Sequence, residues 1–511
     1  MDILLYIKYF FSLVSPVFVG YIPVYYLLLR RKILDLEYKN LSGKFFITFI
    51  SFYIGSFIIC ILMMVLSMFG FNLEFDYVLV FVLVCISISA YLYFSKKFRY
   101  REKIRLKKMI KGTVTIEDNL KIKKGKVING SKPKKISFRL DRGKLGDVLF
   151  ALVAVLIFAN FLAVLFFTFL FPVRFWDAVA CWSLKGKAFF IDSDIFTFFT
   201  QHDYWFSHPS YPLYLSLLQT WIYTWLGKVD ENLVKVIFPL FYLSLVFICY
   251  HFFRKKINRI LSVILVFVLS SIPIIVDHGY IEYSNLLFSV ILLLAVYFLY
   301  LWRARRKIGS YVILSGVFFA LLSFIRGEGI LFLALFFALG IIFLFMDLFR
   351  LKHYKATIIN FFASVILTFL LIIPWYLLKF GLGIPALPIE WSSFIAGGGD
   401  IVGSFNSFRA ASALVKEFIF SAYDSPRAFL GSFYGPAWII LFILFFVNIK
   451  RLFSRNNWIP FIFILFGMLT VFVSIGFVSD FEGSIDRYLL HFFPLTYLWI
   501  LSNLPNSKKL E

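Results

Sequence analysis

Ionisable residues are scarce in the long apolar runs of this chain, so those gathered where the runs end are the places to look for chemistry. The stretch FPVRFWDAVACWSLKGKAFF, residues 171–190, follows the uncharged run 148–170. It sets Asp177 between Trp176 and Trp182, with Arg174, Lys185 and Lys187 nearby. A carboxylate there serves either as an N-terminal cap for the helix behind it or as a base that takes a hydroxyl proton. At helical spacing Asp177, Cys181 and Lys185 share a face, so a base and a cation can line one groove. In SHPSYP (207–212), two X-Pro steps force an extended turn and bring His208 to the place where the loop returns to an apolar stretch. That turn also reads simply as the start of a helix. VDHGYIEYSN (276–285) holds Asp277, His278 and Glu282, a set able to bind a divalent cation or orient a hydroxyl acceptor. The spacing fits no strict metal signature, and a solvated loop carries the same residues. Arg326 in FIRGEG and Arg487 in IDRYLLHFFP each sit at the end of an apolar run. Arginine grips phosphate through paired hydrogen bonds, while Glu328 and Asp486 offer each an ordinary ion pair. The glycines of FIAGGGDIVGSFNSF (394–408) suit a mobile lid or, equally, a disordered loop.

Membrane-crossing helices must position these residues. The chain has 511 residues, 61% of them hydrophobic and 21% aromatic, with a mean hydropathy of +0.87; soluble proteins are nearer about half apolar. Apolar runs of roughly 17–25 residues, the length that crosses a bilayer as a helix, recur throughout. The expectation is an all-α polytopic membrane protein. Candidate spans are 3–29, 45–69, 76–94, 148–171, 233–253, 260–276, 284–302, 310–325, 329–348, 357–378, 434–449, 458–478 and 487–503. The stretch 211–227 is apolar but ambiguous, and charge decides its place. If it does not cross, the basic loops at 30–32, 95–147, 254–259, 303–307, 350–355, 450–455 and 508–509 all fall on one side. Positive loops stay cytoplasmic, so 211–227 is expected to lie in or dip into the outer leaflet. About thirteen spans then run from an external N-terminus to a cytoplasmic tail, 504–511. The loops 172–232, 277–283 and 379–433, with every candidate residue above, face outside.

The net charge of +24 is concentrated rather than spread. Residues 95–147 hold 19 Lys and Arg against 5 Asp and Glu. Beside membrane spans this pattern points to topology and to contact with anionic membrane lipid, not to nucleic acid. The segment has no Gly-rich phosphate loop. Cys60, Cys85, Cys181 and Cys249 show neither paired nor metal spacing and read as small core residues. MDILLYIKYFFSLVSPVF lacks a basic leader and a small-residue cleavage site, and is expected to be a retained span.

In this order, FWDAVACWSLKGKAFF, HPSYPLYLSLLQTWIYTWLG, the second external acidic loop, RGEG and DRYLLHFFP resemble the GT-C glycosyltransferases. The resemblance is to the protein O-mannosyltransferase and aminoarabinose transferase branch, which uses sugars carried on a polyprenyl phosphate. It covers roughly 148–503, the expected catalytic core with juxtamembrane helices in the first external loop. An N-terminal three-span module (1–94) and the basic segment (95–147) lie outside it. The resemblance implies a sugar donor on polyprenyl phosphate, a glycan, lipid or protein acceptor on the external face, and Asp177 as general base. Arg326, Arg487 and Lys185 would hold the donor phosphate. Asp277, His278, Glu282 and His208 are the candidates for the acceptor or for a divalent cation, whose requirement stays open. The chain has one Asp after Trp176 where the mannosyltransferases have an Asp-Glu pair, and Arg326 where relatives commonly have Lys. The Lys-, Phe- and Ile-rich composition points to an AT-rich prokaryotic genome, and the expected location is a prokaryotic plasma membrane with the active site facing outside the cytoplasm. A transporter or flippase of a lipid-linked saccharide is the alternative and predicts polar residues deep in the bundle. A lipid-linked glycan ligase or polymerase is the nearest enzymatic one.

Overall fold

The computed structural model describes residues 3–29, 40–73, 76–77, 79–94, 142–200, 206–305, 308–349, 354–384, 406–420, 434, 436–454, 457–477 and 484–504. The expected basic segment up to residue 141 and the expected lid up to 405 lie outside them. Among the described residues every regular element is a helix. That is the solution lipid imposes on a single stretch of chain, because each backbone N–H and C=O must find its partner within the segment.

In chain order the helices are α1 (Ile3–Val24, extended by a π turn, Tyr25–Leu29), α2 (Leu41–Met68), α3 (Leu79–Phe94) and α4 (Arg142–Leu170). A π-helical segment, Asp177–Ser183, leads into α5 (Leu184–Ile191), followed by α6 (Phe196–Thr200), α7 (Tyr214–Leu226), α8 (Glu231–Val234) and α9 (Ile237–Arg254). Next come α10 (Arg259–Ser270), α11 (Pro273–Asp277), α12 (Asn285–Ala304), α13 (Ser310–Ile325), α14 (Gly329–Phe349) and α15 (Tyr354–Gly381). The last are α16 (Ser407–Phe420), α17 (Ala437–Leu452), α18 (Trp458–Phe477), α19 (Ile485–Leu489) and α20 (Phe493–Leu501). Among the described residues eight helices are long and apolar enough to cross a membrane: α1, α2, α4, α8 with α9, α12, α14, α15 and α18. The other apolar runs form shorter helices. Proline sets two of the breaks, since Pro273 starts α11 after α10 ends at Ser270, and Pro494 opens α20 after α19.

Side-chain ties define the two ends of the bundle. At one end Lys256 reaches Asn503, which also bonds Asn457, and Arg303 meets Asp347. These residues join the ends or starts of α9, α12, α14, α18 and α20. At the other end Arg326, after α13, bonds Ser284 before α12 and Tyr488 in α19. There Arg409 of α16 also caps the last carbonyls of α18.

The first two helices are integral to the bundle. They cross with touching backbones at Gly20 and Gly55, where a Cβ on Gly55 would lie 1.8 Å from the Pro16 carbonyl oxygen. Small residues at such crossings allow the close approach that packs helices in lipid. Together they grip α7: Trp221 donates to the Ser12 carbonyl and Ser56 bonds Tyr214. Every residue of α7 is buried. Its 13 residues span about 20 Å, short of a bilayer core, and protein rather than lipid covers it.

Candidate functional site

α7 is the anvil on which the Asp177 segment is laid. Ser216, Gln219 and Thr220 form a polar stripe at three- and four-residue spacing, facing α5. Ser216 donates to the Trp182 carbonyl and Thr220 to the Gly186 carbonyl. Gly186 has no room for a Cβ, which would fall 2.9 Å from the Gln219 side chain. Hydrogen bonds then shift register: Leu184 N–H bonds the Val179 carbonyl, five residues back, and the chain runs as a π-helix over Asp177–Ser183. Such turns are rare and are frequently found at functional sites. Here the wider turn brings Trp182 into the cleft beside Asp177, while Cys181 is buried in the core.

The cleft is lined by Asp177, Trp182, Tyr211, Tyr283, Asn285, Arg326, Arg487 and Tyr488. These come from the segment between α4 and α7, the α11–α12 loop, the α13–α14 turn and α19, so four separated stretches converge. Arg487 Nη1 donates to Asp177 Oδ2 at 2.8 Å, across 310 positions of sequence. Its Nη2 donates to Ser484, and its guanidinium stands over the Tyr283 ring at 4.9 Å. Among the described residues Asp177 Oδ1 accepts no hydrogen bond. Arg326 is held more tightly, with both Glu328 oxygens within 3.3 Å, Ser284 at 3.2 Å and Tyr488 at 3.1 Å. Burial is the largest single influence and opposes its charge, but Glu328, Tyr488 and Tyr211 together outweigh it and hold Arg326 above the usual arginine range. The cavity itself is small, ≈ 30 Å³, room for about two waters.

The other expected residues surround this centre. Lys185 is fully buried, and its ammonium donates to the His208 carbonyl at 2.7 Å. It lies behind the Tyr211 ring, 5.8 Å from the centroid, and does not line the cleft. Burial lowers it to about 7, with Lys379 adding to the effect and Cys181 opposing it. His208 has a left-handed backbone, φ 53°, and its ring stacks on Tyr211 at 4.8 Å. That conformation is unfavourable for a side-chain-bearing residue, and here it turns the carbonyl to Lys185. His208 thus supports the cleft wall.

Asp277, His278 and Glu282 part company. Asp277 Oδ1 accepts from Tyr280 at 2.9 Å, and its buried Oδ2 has no hydrogen-bond partner among the described residues. Glu282 is buried near Lys235 and Arg174. Burial raises both carboxyls to about 7. Lys235 donates to the Phe171 carbonyl, and the Arg174 guanidinium lies 3.8 Å above the Phe171 ring. This buried polar group therefore pins the start of the loop that leads to Asp177. His278 bonds the Ile274 carbonyl through Nδ1 at 3.0 Å, which makes that nitrogen the donor and Nε2 the acceptor. Burial, reinforced by Arg487 and Arg326 and opposed by the Ile274 bond, lowers it to about 3, so the ring is neutral. Among the described residues no three His, Cys, Asp or Glu side chains converge as a metal site would require.

Sequence reasoning missed Ser284, Tyr283, Asn285, Tyr211 and Tyr488. Tyr488 was within reach, since it adjoins Arg487 at the end of an apolar run. Lys187 does not line the cleft and pairs with Glu231 instead. The chain matches no protein-family model, no curated protein and no solved structure.

Proposed function

We propose that this protein is a membrane glycosyltransferase of GT-C type. It moves a sugar from a polyprenyl-phosphate donor to an acceptor hydroxyl on the extracytoplasmic face of a prokaryotic plasma membrane. The observation that carries the proposal is the cleft in which one carboxylate, Asp177, stands with two arginines, Arg487 and Arg326, among aromatic side chains. A base and a pair of phosphate-binding cations beside an apolar bundle match a substrate that is half lipid and half sugar.

The acceptor oxygen attacks the anomeric carbon as the bond from that carbon to the phosphate oxygen breaks. Polyprenyl phosphate leaves with the bonding electrons, and the acceptor proton passes to Asp177 Oδ1. A carboxylate is a weak base for an alcohol, so alignment and stabilisation of the leaving phosphate supply much of the rate. The cleft is too narrow for a sugar, so the donor widens it on binding. Arg487 is the natural moving part, because it exchanges one anion, Asp177, for another, the phosphate, and frees the carboxylate for proton transfer. Arg326, fixed by Glu328, Ser284 and Tyr488, is the stationary cation. A single displacement inverts the anomeric configuration. The proposal carries thirteen crossings with the cleft outside, the short helices α3, α10 with α11, α13, α17 and α19 with α20 supplying five of them.

The test offers purified protein in lipid a panel of polyprenyl-phosphate sugars with crude envelope acceptor and follows release of polyprenyl phosphate. Release from one donor supports the transferase and names the sugar. No release from any donor, with lipid-linked sugar moving between leaflets, would replace the proposal with a flippase.

A further inference from the structure

A second cavity lies at the far end of α12 from the Asp177 cleft. Asn285, the first residue of α12, lines the cleft, whereas Leu301 and Arg305, at and beyond its end, line the second cavity. The 20 residues of α12 separate the two by about 30 Å, the thickness of a bilayer core. The cavity measures ≈ 360 Å³, inside the range of small-molecule sites, about 300–1,000 Å³.

Its walls are the ends of helices. α9 contributes His251 and Arg254, the next residue Lys255 follows, α12 contributes Tyr297 and leads to Arg305, and Asn40 stands at the start of α2. Basic residues suit the C-terminal ends of α9 and α12, where carbonyls accumulate. The start of α2 offers the opposite polarity, first-turn amides that have no partner within the helix. Asn40 is the N-cap residue, yet its side chain makes no bond to its own helix. The positions are fixed by aromatic contacts: His251 lies flat on Phe46, ring centroids 4.3 Å apart, and Lys255 Nζ donates to the Tyr297 hydroxyl at 2.6 Å. Among the described residues, all the lysine, arginine, aspartate and glutamate side chains that line the cavity are basic. Three cations, an amide and a helix N-terminus thus surround a space of ligand size. An anion with several acceptor oxygens satisfies that combination.

We propose that this cavity binds the phosphate group of an anionic ligand at the membrane face opposite the Asp177 cleft. The ligand is a phosphate ester whose oxygens accept from Arg254, Lys255 and Arg305. It arrives either as a lipid headgroup of that leaflet or as a soluble phosphate compound. The site stands apart from the glycosyl-transfer chemistry and does not depend on it.

The test uses the full chain, delipidated in neutral detergent. In one arm, native mass spectrometry follows retention of phosphatidylglycerol against phosphatidylcholine. In the other, calorimetry follows binding of inorganic pyrophosphate. The double variant K255Q/R305Q alters two exposed side chains at helix ends and is expected to weaken the bound probe about tenfold or more. K255R/R305K should keep most of the binding. K450Q/R451Q removes two charges at the same end of the bundle but outside the cavity, and should change binding by no more than about twofold. Preference for phosphatidylglycerol lost in K255Q/R305Q assigns a lipid headgroup, and pyrophosphate binding lost in that variant assigns a soluble phosphate. Equal retention of both lipids with no pyrophosphate binding would overturn the proposal. So would equal weakening by K255Q/R305Q and K450Q/R451Q.

Discussion

Glu282 offers a sharp test of how the Asp177 loop is held. It is buried beside Lys235 and Arg174, and burial raises its carboxyl from 4.5 to about 7 against the opposing pull of its own backbone N–H and of those two cations. Between those values the folded chain keeps a proton that the unfolded chain has released, so stability falls as pH rises through the interval. The full effect of moving a carboxyl from 4.5 to about 7 is roughly 3 kcal/mol. Of this, about 2.5 kcal/mol should be lost between about pH 5 and about pH 8. Asp277, raised by burial from 3.8 to about 7, acts with the same sign. Glu282→Gln keeps the shape and removes the titration. Unfolding of the wild type and the variant, followed by tryptophan fluorescence in one detergent across that pH range, should show a shallower decline in the variant and a more stable variant at about pH 8. Identical slopes would refute the reasoning. They would mean that Glu282 is ionised in the fold and that pairing with Lys235 and Arg174 outweighs burial.

Other perturbations probe separate parts of the structure. Arg303 and Asp347 form a buried pair at 2.9 Å, with Thr357 also bonding the carboxylate. Asp347→Ala leaves the guanidinium uncompensated and should cost about 3–5 kcal/mol in unfolding measurements, most of it regained in Arg303→Met/Asp347→Leu. Gly55→Ala forces α1 and α2 apart because the obstacle is backbone, and should cost about 2 kcal/mol or more. Gly381→Ala, with nothing within 4 Å of its Cβ, should leave the melt unchanged. Arg326→Lys supplies one ammonium where a fork bonds Glu328, Ser284 and Tyr488, so donor turnover should fall about tenfold or more with the fold intact.

Much of this arrangement was legible residue by residue and little of it pair by pair. Apolar runs identified the long helices, because lipid leaves a single helix-forming stretch few alternatives. Asp177, Arg326 and Arg487 stood out as charges where apolar runs end. Their convergence did not, since no local pattern links positions 310 residues apart. The shared face of Asp177, Cys181 and Lys185 follows from α-helical spacing. The chain takes a π turn there, and Lys185 turns to His208 instead. The cause lies in Ser216, Gln219 and Thr220, whose polar stripe within an apolar helix was visible in the sequence but had no partner until α5 docked on it. Likewise the neighbours Asp277, His278 and Glu282 resembled one cluster on paper. A short helix ending at Asp277 sends them in different directions, to Tyr280, to Ile274 and toward Lys235.

The most direct measurement compares donor turnover and donor binding in wild type and Asp177→Asn. The Asp177–Arg487 pair is partly exposed, 44% and 24% at its two side chains, so its loss should change stability by only about 0–1 kcal/mol. With the fold intact, turnover of the polyprenyl-phosphate sugar should drop by about 100-fold to 10,000-fold as the proton acceptor disappears, while the donor still binds through Arg326 and Arg487. Turnover at the wild-type rate in folded Asp177→Asn would contradict the assignment of Asp177 as the base.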